Sequence, residues 1–91
     1  MRFEWDHAKE EINIRKHGVD FDEAADTFYD PSGLERPDEG HSGYEERFIR
    51  LGASRRGRIL VTAFTERGES IRIISSRRAT RREVKSYEEG I

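Results

Sequence analysis

Arginine is concentrated near the end of the chain, in the stretch S-S-R-R-A-T-R-R-E-V-K-S-Y at residues 75–87. Arg77 and Arg78 precede a predicted helix, and Arg81 lies in its first turn. A guanidinium group can bind two phosphate oxygens at once, and a helix amino terminus adds free N–H groups. The stretch therefore predicts a phosphate site. The alternative is a solvated helix whose arginines pair with nearby glutamates.

Three further arginines, Arg50, Arg58 and Arg72, lie on predicted neighbouring strands. Alternation of side chains could place Arg50 and Arg72 on one sheet face together with Arg77. Three guanidinium groups that converge on a groove would stabilise the charge of a phosphate transition state. Ordinary outward-facing strand residues are an equally good explanation. Tyr87, on the last predicted helix, could stack on a base or pack that helix onto the sheet.

A second set of polar side chains lies near the start of the chain. Trp5, Lys9, Asn13 and His17 recur at intervals of four, which places them in one stripe on a helix. An exposed stripe would offer hydrogen-bond donors and an imidazole suited to proton transfer near neutral pH. The structural alternative puts Trp5 in the core and Lys9 in solvent, with Asn13 and His17 bonded to backbone groups.

The sequence predicts no metal and no cofactor. It has no cysteine, and its three histidines show no spacing typical of metal ligands. His7 and His41 are weaker functional candidates than His17. His41 lies in a polar loop with Ser42 and Tyr44, and such loops do carry function.

Charge is distributed unevenly along the chain. Charged residues make up 40% of it, yet the net charge is only −2. Residues 1–46 carry five Lys or Arg against fourteen Asp or Glu, whereas residues 47–91 carry twelve against five. A basic half can hold a polyanion while the acidic half faces elsewhere. No apolar run approaches the length of a membrane span, so we expect a cytoplasmic protein that does not enter the membrane.

The predicted elements form one α+β domain that covers residues 1–91. Its two N-terminal helices, antiparallel sheet and C-terminal helix would position the polar side chains named above. Asp6, Asp20 and Thr80 are the predicted N-caps of the three helices. The predicted elements are a strand at 3–5, helices at 7–17 and 21–28, an edge strand near Leu34, strands at 47–51, 58–64 and 70–75, and a helix at 81–89.

Three blocks of the chain, in this order, resemble the BrnT family of bacterial toxins. They are F-E-W-D with K-H-G-V near the start, E-E-R in the middle, and I-R-I-I-S-x-R-R-A-T-x-x-E near the end. The resemblance implies a fold similar to the RelE-like ribonucleases, with a twisted antiparallel sheet. It also implies cleavage of RNA without a metal, arrest of translation, and neutralisation by a BrnA-like antitoxin in a multimeric complex. DNA would be bound only indirectly, through that antitoxin.

The resemblance also indicates site residues. Its motifs cover Trp5, Lys9, Asn13, Lys16 and His17, then Glu46 and Arg47, then Arg77 and Arg78. We expect catalytic roles for His17 or Glu46 as general base, for Lys9 at the leaving oxygen, and for Arg77 and Arg78 on the phosphate. The expected RNA-binding residues are Trp5, Asn13, Lys16, Arg50, Arg72, Arg81 and Tyr87.

Two alternative functions remain open at the level of sequence. The first is a module that binds RNA or an acidic protein and breaks no bond. The second is a protein whose two charged halves mediate only self-assembly.

Overall fold

A computed structural model describes residues 1–41, 43 and 45–91. Ser42, Tyr44 and the side chain of His41, which the sequence suggests as weaker candidates, lie outside the described part. Two 3₁₀ turns, Thr27–Tyr29 and Glu39–His41, separate regular elements. The elements are β1 (Arg2–Glu4), α1 (His7–His17), α2 (Phe21–Asp26), β2 (Leu34–Pro37), β3 (Arg47–Ala53), β4 (Ile59–Arg67), β5 (Ser70–Arg78) and α3 (Arg81–Glu89).

The five strands form one mixed sheet in the order β1-β5-β4-β3-β2. The predicted α+β class is confirmed, and the β3–β4 and β4–β5 pairs are antiparallel as expected. The prediction of an antiparallel sheet is wrong at β1, which runs parallel to β5 with Glu4 beside Arg72. The hairpins have short glycine-containing turns that the sequence reveals. A pairing between the two ends of the chain leaves no such local signal.

All three predicted helix caps are present. The side chain of Asp6 accepts a hydrogen bond from the backbone N–H of Lys9, and that of Asp20 accepts one from Glu23. Thr80 and Glu83 form a complete capping box at α3. Helix α1 ends at Gly18, whose φ of 69° is readily adopted only without a side chain.

Strands β3, β4 and β5 extend beyond their predicted ends, whereas β1 ends at Glu4, one residue before its predicted end. The predicted edge strand near Leu34 is present as β2. β5 continues to Arg78, so Arg77 and Arg78 belong to the strand and not to a free junction before α3. β4 is the central strand of the sheet, which explains why it is apolar on both faces.

The core lies between α2 and one face of the sheet. Phe21, Ala24 and Ile73 are fully or almost fully buried there, and Phe3 and Trp5 pack against them. Burying one large apolar side chain contributes about 1.5–3 kcal/mol. A second aromatic group continues this layer, since the ring centroid of Phe64 lies 4.8 Å from that of Phe28 and 5.6 Å from that of Phe48.

A buried carboxylate ties α2 to the β3–β4 turn. The side chain of Glu23 has no exposed surface. Ser54 Oγ donates to Glu23 Oε2 at 2.8 Å, and Arg58 Nε donates to the same atom at 2.9 Å. The hydrogen bond from Arg58 is the main cause that lowers the pKa of Glu23. Because the Glu23 carboxylate is paired with Arg58 and accepts a hydrogen bond from Ser54, it can be buried without leaving an unsatisfied polar group.

No helix in the described ranges is long and apolar enough to cross a membrane.

Candidate nucleic-acid interface

Helix α1 is attached to the edge of β5 through the amide of Asn13. Its Nδ2 group donates to the carbonyls of Val19 at 2.9 Å and Ser76 at 2.8 Å, and its Oδ1 accepts from the N–H of Ser76 at 3.0 Å. β1 pairs only with residues 70–72 of β5, so the backbone of Ser76 has no strand neighbour on that side. The Asn13 amide therefore forms the hydrogen bonds with the N–H and carbonyl of Ser76 that a neighbouring strand would otherwise form.

This attachment corrects the expectation of an exposed polar stripe on α1. Asn13 is only 5% exposed, and its three hydrogen bonds use both amide donors. Trp5 precedes the helix, packs edge-on against Phe21 at 6.0 Å between ring centroids, and donates to Glu10 at 3.2 Å. These positions do not favour direct RNA contact by Trp5 or Asn13. They agree with the alternative in which Trp5 packs in the core and Asn13 is bonded to backbone groups.

The remaining members of the stripe line a groove between α1 and the sheet. Lys9 and Ile74 border two adjoining clefts of about 180 and 80 Å³. We call these two clefts together the basic groove. The first cleft is also lined by Ile12, Asn13, Lys16, His17 and Ser75. The second is also lined by Glu45, Arg47, Thr65, Arg67 and Arg72.

A bulge in β5 lies at the centre of the basic groove. Ala63 of β4 pairs with Ser75, and the next residue, Phe64, pairs with Ile73. Ile74 is therefore the extra residue of β5, and it lines both clefts. Bulges bend a strand and redirect its side chains, and they are common beside active sites.

The cations of the basic groove differ in their pairing. Arg72 forms an ion pair of 3.0 Å with Glu4, and Arg67 forms one of 2.7 Å with Glu45. Within the described part of the chain, Lys9, Lys16 and Arg47 form no side-chain hydrogen bond or ion pair. The half-buried imidazole of His17 lines the first cleft. This arrangement offers an anionic ligand unpaired positive charge beside a group able to transfer protons.

Arg77 is held by α3 and does not line the basic groove. Its Nη1 and Nη2 atoms donate to the two carboxylate oxygens of Glu83 at 2.8 and 3.0 Å. This bidentate contact is the main cause that lowers the pKa of Glu83 to about 2, and it raises the pKa of Arg77. Arg78 is exposed at the end of β5, and Arg81 is exposed at the start of α3. The structure does not bring these arginines together as the predicted phosphate clamp.

The prediction that Arg50 lies on the same sheet face as Arg72 and Arg77 is wrong. Arg50 pairs in register with Thr62, whereas Arg72 pairs with Thr65, and alternation puts these positions on opposite faces. Arg50 is 9% exposed and donates to the carbonyls of Thr27 and Asp30 and to Glu35. Its guanidinium also lies 5.3 Å from the centroid of the Phe28 ring. We therefore assign it a structural role.

Tyr87 and Glu46 line neither of the two clefts of the basic groove. The hydroxyl of Tyr87 donates to Asp30 Oδ2 at 2.6 Å, which raises the pKa of Tyr87 because its anion would face a carboxylate. That contact attaches α3 to the body of the protein. The Glu46 side chain is exposed, and the Glu46 carbonyl accepts a hydrogen bond from Thr65.

The groove also contains residues that did not enter the predicted site. Glu45 and Arg47 belong to the E-E-R motif without a predicted role, and Arg67 lies outside the motifs that predict the site. The signal that could have found them is strand register: Arg47 and Arg72 both pair with Thr65, from its two sides. Within the described residues, no three His, Cys, Asp or Glu side chains form a group that could hold a metal ion.

Comparisons with known proteins agree on a family. A family model described as the ribonuclease toxin BrnT of type II toxin–antitoxin systems matches residues 5–83. The crystal structure of the Brucella abortus ribonuclease toxin BrnT is similar over 89% of this chain and 99% of its own, with 27% identity and a TM-score of 0.69. No curated protein sequence matches the chain. With a match over most of its length, the chain belongs to the BrnT family of ribonuclease toxins of type II toxin–antitoxin systems.

Proposed function

We propose that the protein is an endoribonuclease toxin that cleaves RNA in the basic groove without a metal ion. The observation that carries this proposal is the unpaired charge of Lys9 and Lys16 in the same cleft as the imidazole of His17, with Arg47 in the adjoining cleft. An RNA backbone supplies the matching negative charge, and family membership supports ribonuclease activity.

The proposed reaction uses the 2′-hydroxyl group of RNA as its nucleophile. The 2′-oxygen forms a bond to the adjacent phosphorus atom while the bond from phosphorus to the 5′-oxygen breaks. A general base accepts the proton of the 2′-hydroxyl, and a general acid gives a proton to the departing 5′-oxygen. The products are a 2′,3′-cyclic phosphate and a free 5′-hydroxyl group. DNA lacks the 2′-hydroxyl and is not a substrate.

The position of His17 favours it over Glu46 as the general base. His17 lines the groove, whereas the Glu46 side chain does not. Lys9 borders both clefts, so an RNA strand that crosses the groove passes its ammonium group, which can assist the leaving oxygen. Lys16 and Arg72 hold the backbone on the two sides of Lys9. Fixed cations of this kind stabilise developing phosphoryl charge in the manner that a metal ion does elsewhere.

The biological setting is part of the same proposal. The family implies an antitoxin partner. We infer that this partner is BrnA-like, that it forms a multimeric complex with the toxin, and that it alone contacts DNA. RNA cleavage in the cytoplasm would then arrest translation. The similarity to RelE-like ribonucleases remains a prediction from sequence.

The decisive experiment incubates the antitoxin-free protein with labelled single-stranded RNA in EDTA, beside DNA of the same base sequence. Cleavage of RNA alone, with cyclic phosphate ends, is the expected result. Intact RNA from a folded sample, with and without added ribosomes, would contradict the proposal. Cleavage that stops in EDTA and returns with a divalent cation would contradict its metal-free step.

A matched pair of variants on α1 tests the location. Lys16→Ala and Arg15→Ala each remove one exposed positive charge from adjacent positions, but only Lys16 lines the groove. We expect slower cleavage from Lys16→Ala and near-parental cleavage from Arg15→Ala. Equal effects would mean that overall charge matters and the groove does not.

A further inference from the structure

The second cleft of the basic groove contains arginines from three different positions around one threonine. Arg47 of β3 and Arg72 of β5 both pair in register with Thr65 of β4. Their Cα atoms are therefore separated by two strand spacings, or roughly 10 Å. Arg67 lies two residues beyond Thr65 on β4 and so points to the same face. All three arginines line the second cleft together with Thr65.

Glu45 places a carboxylate against Arg67 in this cleft. Arg67 Nε donates to Glu45 Oε2 at 2.7 Å, and Arg67 Nη2 donates to Glu45 Oε1 at 2.8 Å. The hydrogen bond from Arg67 is the main cause that lowers the pKa of Glu45, and the charges of Arg72 and Arg47 act in the same direction. The two carboxylate oxygens thus occupy the kind of bidentate site that two phosphate oxygens also fit.

The contact between Glu45 and Arg67 is exposed and exchangeable. The two side chains are 42% and 46% exposed, and ion pairs of this kind hold weakly because water and salt screen them. The guanidinium of Arg47 makes no hydrogen bond or ion pair within the described ranges, whereas that of Arg72 is paired with Glu4. An RNA strand that also contacts Lys9 and Lys16 can displace a single carboxylate.

We propose that Arg47, Arg67 and Arg72 form a binding site for one backbone phosphate of RNA, and that the Glu45 carboxylate occupies this site until RNA replaces it. The inference rests on the proposed function, because RNA is taken as the ligand. It makes Glu45 a competitor of the substrate within the same chain. Removing the charge of Glu45 should therefore strengthen RNA binding, whereas a residue that merely positions Arg67 would weaken binding when changed.

The test measures binding of a 2′-O-methylated oligoribonucleotide, which cannot be cleaved through its 2′-oxygen, by fluorescence anisotropy. Glu45→Gln keeps the shape of the side chain and removes its charge. The matched control is Glu69→Gln, an exposed glutamate in the β4–β5 turn that makes no ion pair with any described residue. We expect about twofold to fivefold tighter binding from Glu45→Gln and a smaller change from Glu69→Gln. Unchanged or weaker binding by Glu45→Gln overturns the proposal.

Arg47→Gln should have the opposite effect on RNA binding from Glu45→Gln. We expect weaker binding, with the slope of log K against log salt reduced by about 0.7, the value for one lost phosphate contact on a single strand. An unchanged slope overturns the assignment of Arg47 to phosphate. Glu45→Gln should not tighten binding of a poly-glutamate peptide to the same degree. Equal tightening would indicate a site for acidic protein and would overturn the assignment to RNA.

Cleavage of unmodified RNA is measured in parallel with the parent protein. If the parent cleaves RNA and Glu45→Gln binds no better, this inference fails and the proposed function stands. If Glu45→Gln binds RNA more tightly and the parent cleaves nothing, the phosphate site stands and the nuclease does not.

Discussion

Both carboxylate oxygens of Glu83 accept hydrogen bonds from Arg77, and one of them also accepts from the backbone N–H of Thr80. A single side chain therefore caps α3 and attaches this helix to the end of β5. Since no residue of α3 is buried, these polar contacts and the one from Tyr87 carry much of its attachment.

This contact predicts a loss of stability in acid. The pKa of Glu83 is lowered from 4.5 to about 2 in the folded state. Its contribution is therefore fully present above pH 4.5 and is lost as the pH falls towards about 2. Both side chains are partly exposed, so we expect a contribution of only about 1 kcal/mol. Urea unfolding across this pH range should show a smaller loss in Glu83→Gln than in the parent. Parallel pH profiles would contradict the prediction.

Arg77→Ala separates a structural arginine from one that binds phosphate. We expect it to lower the free energy of unfolding by about 1 kcal/mol, since it removes the partner of Glu83. Its RNA cleavage should fall less than that of Arg47→Ala, measured well below the unfolding temperature of each variant. A loss of about 10²-fold or more in a folded Arg77→Ala protein would instead restore Arg77 as a phosphate ligand.

Asn13→Ala should be among the most destabilising changes on α1. It removes three buried hydrogen bonds and leaves the backbone groups of Ser76 unpaired, which costs about 2–4 kcal/mol. Asn13→Asp should also destabilise, because a carboxylate can accept from the N–H of Ser76 but cannot donate to its carbonyl. Urea denaturation measures both, with the exposed neighbour Ile14→Ala as control. If Asn13→Ala lowers the free energy of unfolding no more than the control does, the backbone groups of Ser76 must find other hydrogen-bond partners.

Glu23→Ala should destabilise through a different mechanism. It leaves the buried hydroxyl of Ser54 and the partly exposed guanidinium of Arg58 without the carboxylate to which they donate, which costs about 1–3 kcal/mol. Thermal unfolding should show a clear decrease for Glu23→Ala and little change for Glu11→Ala on the exposed face of α1. Equal unfolding temperatures would show that the Glu23 contact contributes little.

His17→Gln tests the proposed general base. We expect the rate of RNA cleavage to fall by about 10²-fold or more, and the acidic side of the pH–rate profile to become flatter. Binding of the 2′-O-methylated oligonucleotide should change much less. His7→Gln, an exposed histidine outside the groove, is the matched control. A steep acidic limb that survives in His17→Gln would assign the proton transfer to another group.

Local chemistry made most of the elements predictable. Asp6, Asp20 and Thr80 determine where the helices begin, and the short turns around Gly57 and Gly68 indicate both hairpins. Such signals lie within a few residues of the structure that they specify. The same reasoning could not reveal the parallel β1–β5 pair, because its partners are separated by most of the chain.

The site was less predictable than the fold. Arg50 and Arg47 lie on the same strand and look alike in sequence, but one is buried against Phe28 and the other faces the groove. Their spacing of three residues puts them on opposite faces of β3, and the pairing of both Arg47 and Arg72 with Thr65 shows which face borders the groove. The arginine run at residues 77–82 looked like the strongest phosphate signal. Its first member is instead bound by Glu83, a contact that caps α3.

The two margins of the sheet restrict how this protein can associate with others. On one side, β1 has three residues, and the amide of Asn13 closes the edge of β5 beyond it. On the other side, β2 has four residues and ends in Pro37, which has no N–H to donate. Neither margin is a good template for edge-to-edge aggregation. Recognition of this protein is therefore expected to depend on side chains of its faces and helices, and not on addition of a strand.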